Sequence, residues 1–196
     1  MVSYNQKNLL CLHQDQYTEI LNCTMVTKND AVGIISLFED ANIDVFIDGG
    51  WGVDALLGYE SREHNDSDIF IEAVNKNTAY EILKRNGFHE IAMDYSTSSH
   101  SVWHHIDNRI IDLHLFTYDS DHNLVFEGEK YPAEVFSGLG TIEGRKVICI
   151  APNYQVQFHL GYTRDENDIK DVLLLCQAFN LEIPPEISKE ISILDK

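Results

Sequence analysis

Between Phe46 and Glu72 the chain reads Phe-Ile-Asp-Gly-Gly-Trp-Gly-Val-Asp-Ala-Leu-Leu-Gly, a short polar link, and Arg-Glu-His-Asn-Asp-Ser-Asp-Ile-Phe-Ile-Glu. The apolar run Val45–Ile47 ends in Gly49-Gly50, where bare backbone N–H groups can turn toward an anion. A short helical pattern follows, with Val53, Leu56 and Leu57 on one face. Asp66-Ser67-Asp68 then stands at the mouth of a second β-like run, Ile69-Phe70-Ile71. Side chains two apart on a strand share a face, so Asp66 and Asp68 point one way and Ile69 and Ile71 the other. Two carboxylates that close raise each other's pKa unless a cation sits between them. Oxygen-only ligation suits Mg²⁺, with waters and substrate phosphates completing its shell. A glycine turn for phosphate beside paired aspartates for magnesium points to chemistry on a nucleotide.

The remaining pattern alternates helices and strands. Apolar residues at Val32, Ile35, Leu37 and Phe38 predict an amphipathic helix from Asn29 to about Asn42, capped by Asn29 or Asp30. Strands are predicted over 44–48 and 67–73, then a helix over 77–85 closed by Gly87. Residues 88–93 form a loose strand and 96–101 a polar loop. Residues 102–106 and 109–117 form a hairpin around Asp107-Asn108. On its second strand Ile111, Leu113 and Leu115 take one face, and Asp112 and His114 the other. Residues 127–140 look loop-like and 144–150 form a strand. Pro152 suits the first turn of a helix reaching about Tyr162. A last helix spans roughly 165–179, and Pro184-Pro185 begins a tail. The fold class expected is α/β (α+β), a small mixed sheet backed by helices with a C-terminal helical wall.

Asp-Gly-Gly-Trp-Gly-Val-Asp with Arg-Glu-His-x-Asp-x-Asp resembles the small antibiotic nucleotidyltransferases of the polymerase-β-like superfamily. The short, single-domain lincosamide nucleotidyltransferases are the nearer kind and the aminoglycoside 2''-nucleotidyltransferases the more distant. The resemblance runs from about Met25 to about Leu175. It implies transfer of a nucleoside monophosphate, AMP from ATP first, to a hydroxyl of a small antibiotic. Asp66 and Asp68 would bind Mg²⁺. Asp112, in an Asp-x-His context, would take the hydroxyl proton, complete the metal site, or both. Gly49, Gly50, Arg62, His64 and Lys170 would face the nucleotide; Trp103, His114, His159 and Tyr162 would face nucleotide or acceptor. Asp48 and Trp51 would supply a cap and a packing ring. One departure is Ser67, where the family commonly has an apolar residue; it faces away from the metal. The acceptor-side loops, 94–105 and 117–139, match poorly.

Bulk properties agree. A formal net charge of −18 over 196 residues argues against nucleic acid as a partner and would favour a cationic small molecule. The four cysteines have no paired spacing, as in a reduced, cytoplasmic chain. No apolar run approaches a membrane span. His100, His104 and His105 suggest zinc, but His104 and His105 are adjacent and would face opposite sides of a strand, and no Cys or HExxH partner accompanies them, which argues against it. The resemblance puts these three, with Trp103, on the acceptor side. The sequence leaves open whether residues 1–24, an extension before the 25–180 domain, are an extra helix, a disordered arm or an upstream start, and whether they serve homodimer contacts. Two rival functions are a nucleotidyltransferase acting on protein or tRNA and a non-catalytic nucleotide-binding regulator. The low basic content argues against tRNA, and the full acid triad argues against a non-catalytic protein.

Overall fold

The computed structural model describes residues 25–194, so the expectations for residues 1–24 lie outside it. The first helix, α1 (Lys28–Glu39), starts one residue before the apolar pattern placed it. Thr27 is the cap, and Asp30 serves as its partner in a capping box: each side chain accepts from the other's backbone N–H. The helix buries Ala31, Ile34, Ile35 and Phe38.

Nine strands make the sheet among the described residues: β1 (Phe46–Ile47), β2 (Ser67–Glu72), β3 (Phe88–Ile91), β4 (His100–His105), β5 (Ile110–Tyr118), β6 (Leu124–Phe126), β7 (Glu129–Tyr131), β8 (Gly138–Ile142) and β9 (Arg145–Cys149). The main order is β3-β4-β5-β2-β1-β9-β8, with β6 paired to the far end of β5 and β7 to β6. The pair that positions the site is β2 with β5. They run parallel, and Asp68 lies directly opposite Asp112. The mixed α/β architecture expected from the sequence is present.

Alternation along these strands separates two environments. One face carries Ile69, Ile71, Trp103, Ile111 and Leu113 into a core shared with α1 and with α3 (Lys76–Arg85). The other carries Asp68, Asp112 and His114, and further along an aromatic cluster of Phe70, Phe116 and Phe136. A third core joins α2 (Gly49–Leu57) to the C-terminal helices α4 (Pro152–His159), α5 (Glu166–Phe179) and α6 (Pro185–Leu194).

Four local expectations are corrected. The 44–48 strand pairs only at Phe46–Ile47. The 96–101 loop gives up His100 and Ser101 to β4. The 127–140 segment holds β7, a 3-10 turn at Ala133–Phe136 and the start of β8. Its hairpin is made by Glu127 and Gly128 at positive φ, 48° and 87°, and its strands are too short and polar to show alternation. The supposed tail is α6, because a proline that cannot continue a helix is well placed to begin one. Ile187 anchors it, fully buried against Val172 and Leu175. Cys149 and Cys176 are both buried free thiols. No described helix is long and apolar enough to cross a membrane.

Candidate active site

The chain enters α2 through a left-handed residue. Gly49 has φ +57°, a conformation that costs a side-chain-bearing residue about 1–2 kcal/mol. Space imposes glycine a second time, since a Cβ here would lie 2.1 Å from Asp68 Oδ2. At Gly50 a Cβ would lie 2.3 Å from His64 Nδ1 and 2.5 Å from Arg62 Nη2. The two glycines thus let a carboxylate, an imidazole and a guanidinium close on the positive end of one helix. Gln155 fixes the turn from behind, donating from Nε2 to the Gly49 carbonyl at 3.0 Å.

Asp66 precedes β2, Asp68 lies on it, and Asp112 sits across the ladder. Burial, then the charges of Asp68 and Asp112, push the Asp66 pKa well above the usual carboxylate range. Burial, Asp112 and Asp48 do the same for Asp68. Asp48 was expected to cap α2 but makes no side-chain cap bond; it acts instead as another negative charge on this cluster. Among the described residues no three or more His, Cys, Asp or Glu side chains form a group that could hold a metal ion. Asp66 and Asp68 both feel the charge of Asp112, and one or two carboxylates completed by substrate phosphates and waters are the donor set that Mg²⁺ takes.

Two histidines line the same face. His114 Nε2 is 3.6 Å from Asp68 Oδ1, and its ring stacks on Phe70 at 4.7 Å. Burial, then the neighbouring His100, lowers its pKa to about 4, so the ring is neutral near pH 7. His100 Nε2 lies 2.9 Å from Asp112 Oδ1. Burial opposes charge on His100, but the bond to Asp112 and that carboxylate's charge outweigh it and raise the pKa.

On the opposite wall, Arg62 spans two elements. Its Nη2 donates to Asp171 Oδ2 at 2.7 Å and its Nε lies 3.2 Å from the same oxygen. Asp171 is fully buried on α5, so this is a desolvated pair linking the Asp66 loop to the C-terminal wall. Burial disfavours the guanidinium charge, but Asp171 more than compensates. Lys170, beside it, donates from Nζ to the Ser61 carbonyl at 2.9 Å and is exposed.

Several residues expected to touch ligand are otherwise engaged. Trp103 is fully buried on the helix face of β4, with Nε1 on Ser101 Oγ at 3.0 Å and its ring edge-on to Tyr80. It is a core residue, because odd positions of β4 face away from Asp112. His64 is 2% exposed, bonded to Asp54 Oδ2 at 2.6 Å and packed on Trp51 at 4.5 Å. It shapes the turn from beneath, where Asp54 has claimed its Nε2. His159 is buried with Nδ1 on the Gln155 carbonyl at 2.8 Å, so it supports the helix that holds Gly49. Tyr162 donates to Asp168 Oδ1 at 2.8 Å; burial and that carboxylate raise its pKa. Trp51 is the packing ring expected, 3% exposed.

Gln155 has no place in the sequence reading of this site; that reading puts His100 on the acceptor side without its bond to Asp112, and leaves Asp54 and Asp171 without their partners. For His100 the hairpin pattern pointed one residue astray. A two-residue Asp107-Asn108 turn pairs 106 with 109 and so sets 102 opposite 113, whereas Ile106 also belongs to the turn and the observed register sets 102 opposite 112 and 100 opposite 114. Starting the strand at Val102 also left His100 off it.

A glycine turn, an acid cluster on a parallel strand pair and a helical wall therefore occupy one continuous surface. The aminoglycoside-2''-adenylyltransferase family model matches residues 31–175, which contain all of these parts. The chain belongs to that family. It is a nucleotidyltransferase. A lincosamide resistance protein of Staphylococcus haemolyticus is 30% identical over 151 residues, covering 75% of this chain and 92% of that protein. The crystal structure of the lincosamide antibiotic adenylyltransferase LnuA with lincomycin bound is also 30% identical, with a TM-score of 0.69 over 78% of this chain and 98% of its own. ANT(2'')-Ia in complex with adenylyl-2''-tobramycin shares the fold at 19% identity, with a TM-score of 0.58 over 74% of this chain and 85% of its own. The family region excludes α6, which begins at Pro185.

Proposed function

We propose that the protein transfers AMP from ATP to a hydroxyl of a small cationic antibiotic, with a lincosamide as first acceptor and an aminoglycoside as second. The observation that carries the reading is the β2–β5 register, which sets Asp68 opposite Asp112 beside the Gly49 turn. The 30% identity to a lincosamide resistance protein favours the first acceptor and the matched family model the second. A net charge of −18 would draw either toward the cleft.

The triphosphate lies along the amino end of α2, where the Gly49-Gly50 turn presents the positive end of the helix and Arg62 adds a fixed positive charge. Asp66 and Asp68, with Asp112, would hold Mg²⁺. Bound there, the metal would offset the negative charge that builds as the α-phosphate is attacked. Asp112 takes the proton of the acceptor hydroxyl. The hydroxyl oxygen forms a bond to the α-phosphorus as the bond to the β-phosphate bridge breaks, and pyrophosphate leaves. Lys170 and Tyr162 stand at the outer edge, toward nucleotide or acceptor, and His114 forms the floor.

The test is incubation of the purified protein with Mg²⁺, ATP or GTP, and a panel of lincosamides and aminoglycosides, followed by mass spectrometry. An acceptor heavier by one nucleotide is expected, with no product from Asp68→Asn or Asp112→Asn. Full activity in either variant would remove the assignment of the acids. Absence of any nucleotide binding would remove the reading as a whole.

A further inference from the structure

The acid that meets the acceptor hydroxyl is held by a residue from the neighbouring strand. His100 opens β4 directly opposite His114 and diagonal to Asp112, within reach of a long side chain. Its Nε2 lies 2.9 Å from Asp112 Oδ1, so one edge of the ring is committed to the carboxylate. Two other rings pack against it as well. His114 lies 4.4 Å away between ring centroids and Tyr95 lies 5.3 Å away. A ring packed against two others and bonded at its edge has little rotational freedom, and the carboxylate bonded to it inherits that restriction.

We propose that His100 is a positioning residue for the transfer reaction: its Nε2–H sets the plane of the Asp112 carboxylate so that Asp112 meets the acceptor hydroxyl in line with the α-phosphate. The proposal rests on the reading of Asp112 given above. His100 itself gains and loses no proton in the cycle; the hydroxyl proton goes to Asp112, and the hydroxyl oxygen goes to phosphorus as pyrophosphate departs. Its contribution is to orientation, and misplacing a catalytic group by about 1 Å can cost on the order of 10²-fold in rate.

Two substitutions separate the hydrogen bond from the packing. His100→Phe keeps a ring between Tyr95 and His114 but removes the donor. His100→Gln loses the ring but can still donate to Asp112 Oδ1. Kinetics would be measured with ATP, Mg²⁺ and whichever acceptor the wild-type protein modifies, alongside melting curves. If His100 positions Asp112, His100→Phe lowers kcat by about 10–100-fold, as loss of a supporting hydrogen bond does at other sites. The KM for ATP stays within about twofold, since uniform nucleotide binding is untouched. His100→Gln recovers at least half of the lost activity on a logarithmic scale. The opposite ranking, with His100→Phe active and His100→Gln impaired, would assign His100 to packing and overturn the proposal. So would a rise in KM for ATP parallel to the fall in kcat.

Asp112→Asn, measured alongside, tells the two claims apart. If it keeps wild-type turnover, the reading of Asp112 falls and this proposal falls with it. If it is inactive while His100→Phe is fully active, only the proposal falls.

Discussion

The two walls of the cleft are held by different kinds of contact. The wall proposed to face the nucleotide is tied by polar bonds: Arg62 to Asp171 and Gln155 to the Gly49 carbonyl across 109 and 106 residues of chain, and His64 to Asp54 across ten. The wall proposed to face the acceptor is a pile of rings, with Tyr95, His100, His114, Phe70 and Phe126 each packed on the next in tilted, stacked or edge-on contact. Charge-assisted hydrogen bonds dictate distance and direction closely, whereas ring packing tolerates rearrangement at modest cost. The first kind suits a triphosphate, whose shape is the same in every turnover. The second suits a site whose partner differs from one relative to the next.

Breaking the polar wall should have the largest effects. Gly49→Ala puts a methyl group where Asp68 Oδ2 now lies and adds a strained φ. Turnover should fall by on the order of 10³-fold, a loss of several kcal/mol of transition-state stabilisation, as Asp68 swings out. Single-turnover kinetics would show whether the loss lies in the chemical step. Next comes Arg62→Ala, which leaves Asp171 charged and buried and should lower unfolding free energy by about 3 kcal/mol in denaturant titrations. Adding Asp171→Leu should restore much of that stability without restoring the ATP affinity. Recovery of both would mean that Arg62 serves the fold alone.

In the core behind the other wall, Trp103→Phe should cost about 2 kcal/mol of stability through lost contacts and the lost bond to Ser101, with acceptor KM unchanged. A raised acceptor KM at unaltered stability would return Trp103 to the site. The smallest effect is expected at Lys170→Ala. Its ammonium is exposed and already served by the Ser61 carbonyl, so the KM for ATP should rise by less than about tenfold.

Local patterns were the legible part. The Gly49-Gly50 turn, the acid pair and the alternation that places Asp112 and His114 on one face all depend on residues close together in the chain, where φ preferences and a period of two decide direction. The family signature covers the same residues. What misled was sequence whose local meaning is ambiguous. Pro184-Pro185 marks either an end or a beginning, and only burial of Ile187 against α5 makes it the start of α6. Trp103 in a poorly matched segment looked like a ligand contact until the β4–β5 register turned it to the core.

By itself, the sequence determined the fold class, the position of the glycine turn and the three acids, because each follows from spacing along a single strand or turn. Only the tertiary structure decided which charges are partnered. Arg62 and Asp171 are 109 residues apart, and His100 lies on a strand whose start the pattern placed two residues late, at Val102. A pairing across that distance depends on which strands become neighbours and in what register. That is settled by burying the apolar face of the whole sheet at once, and it leaves no periodic trace near either residue.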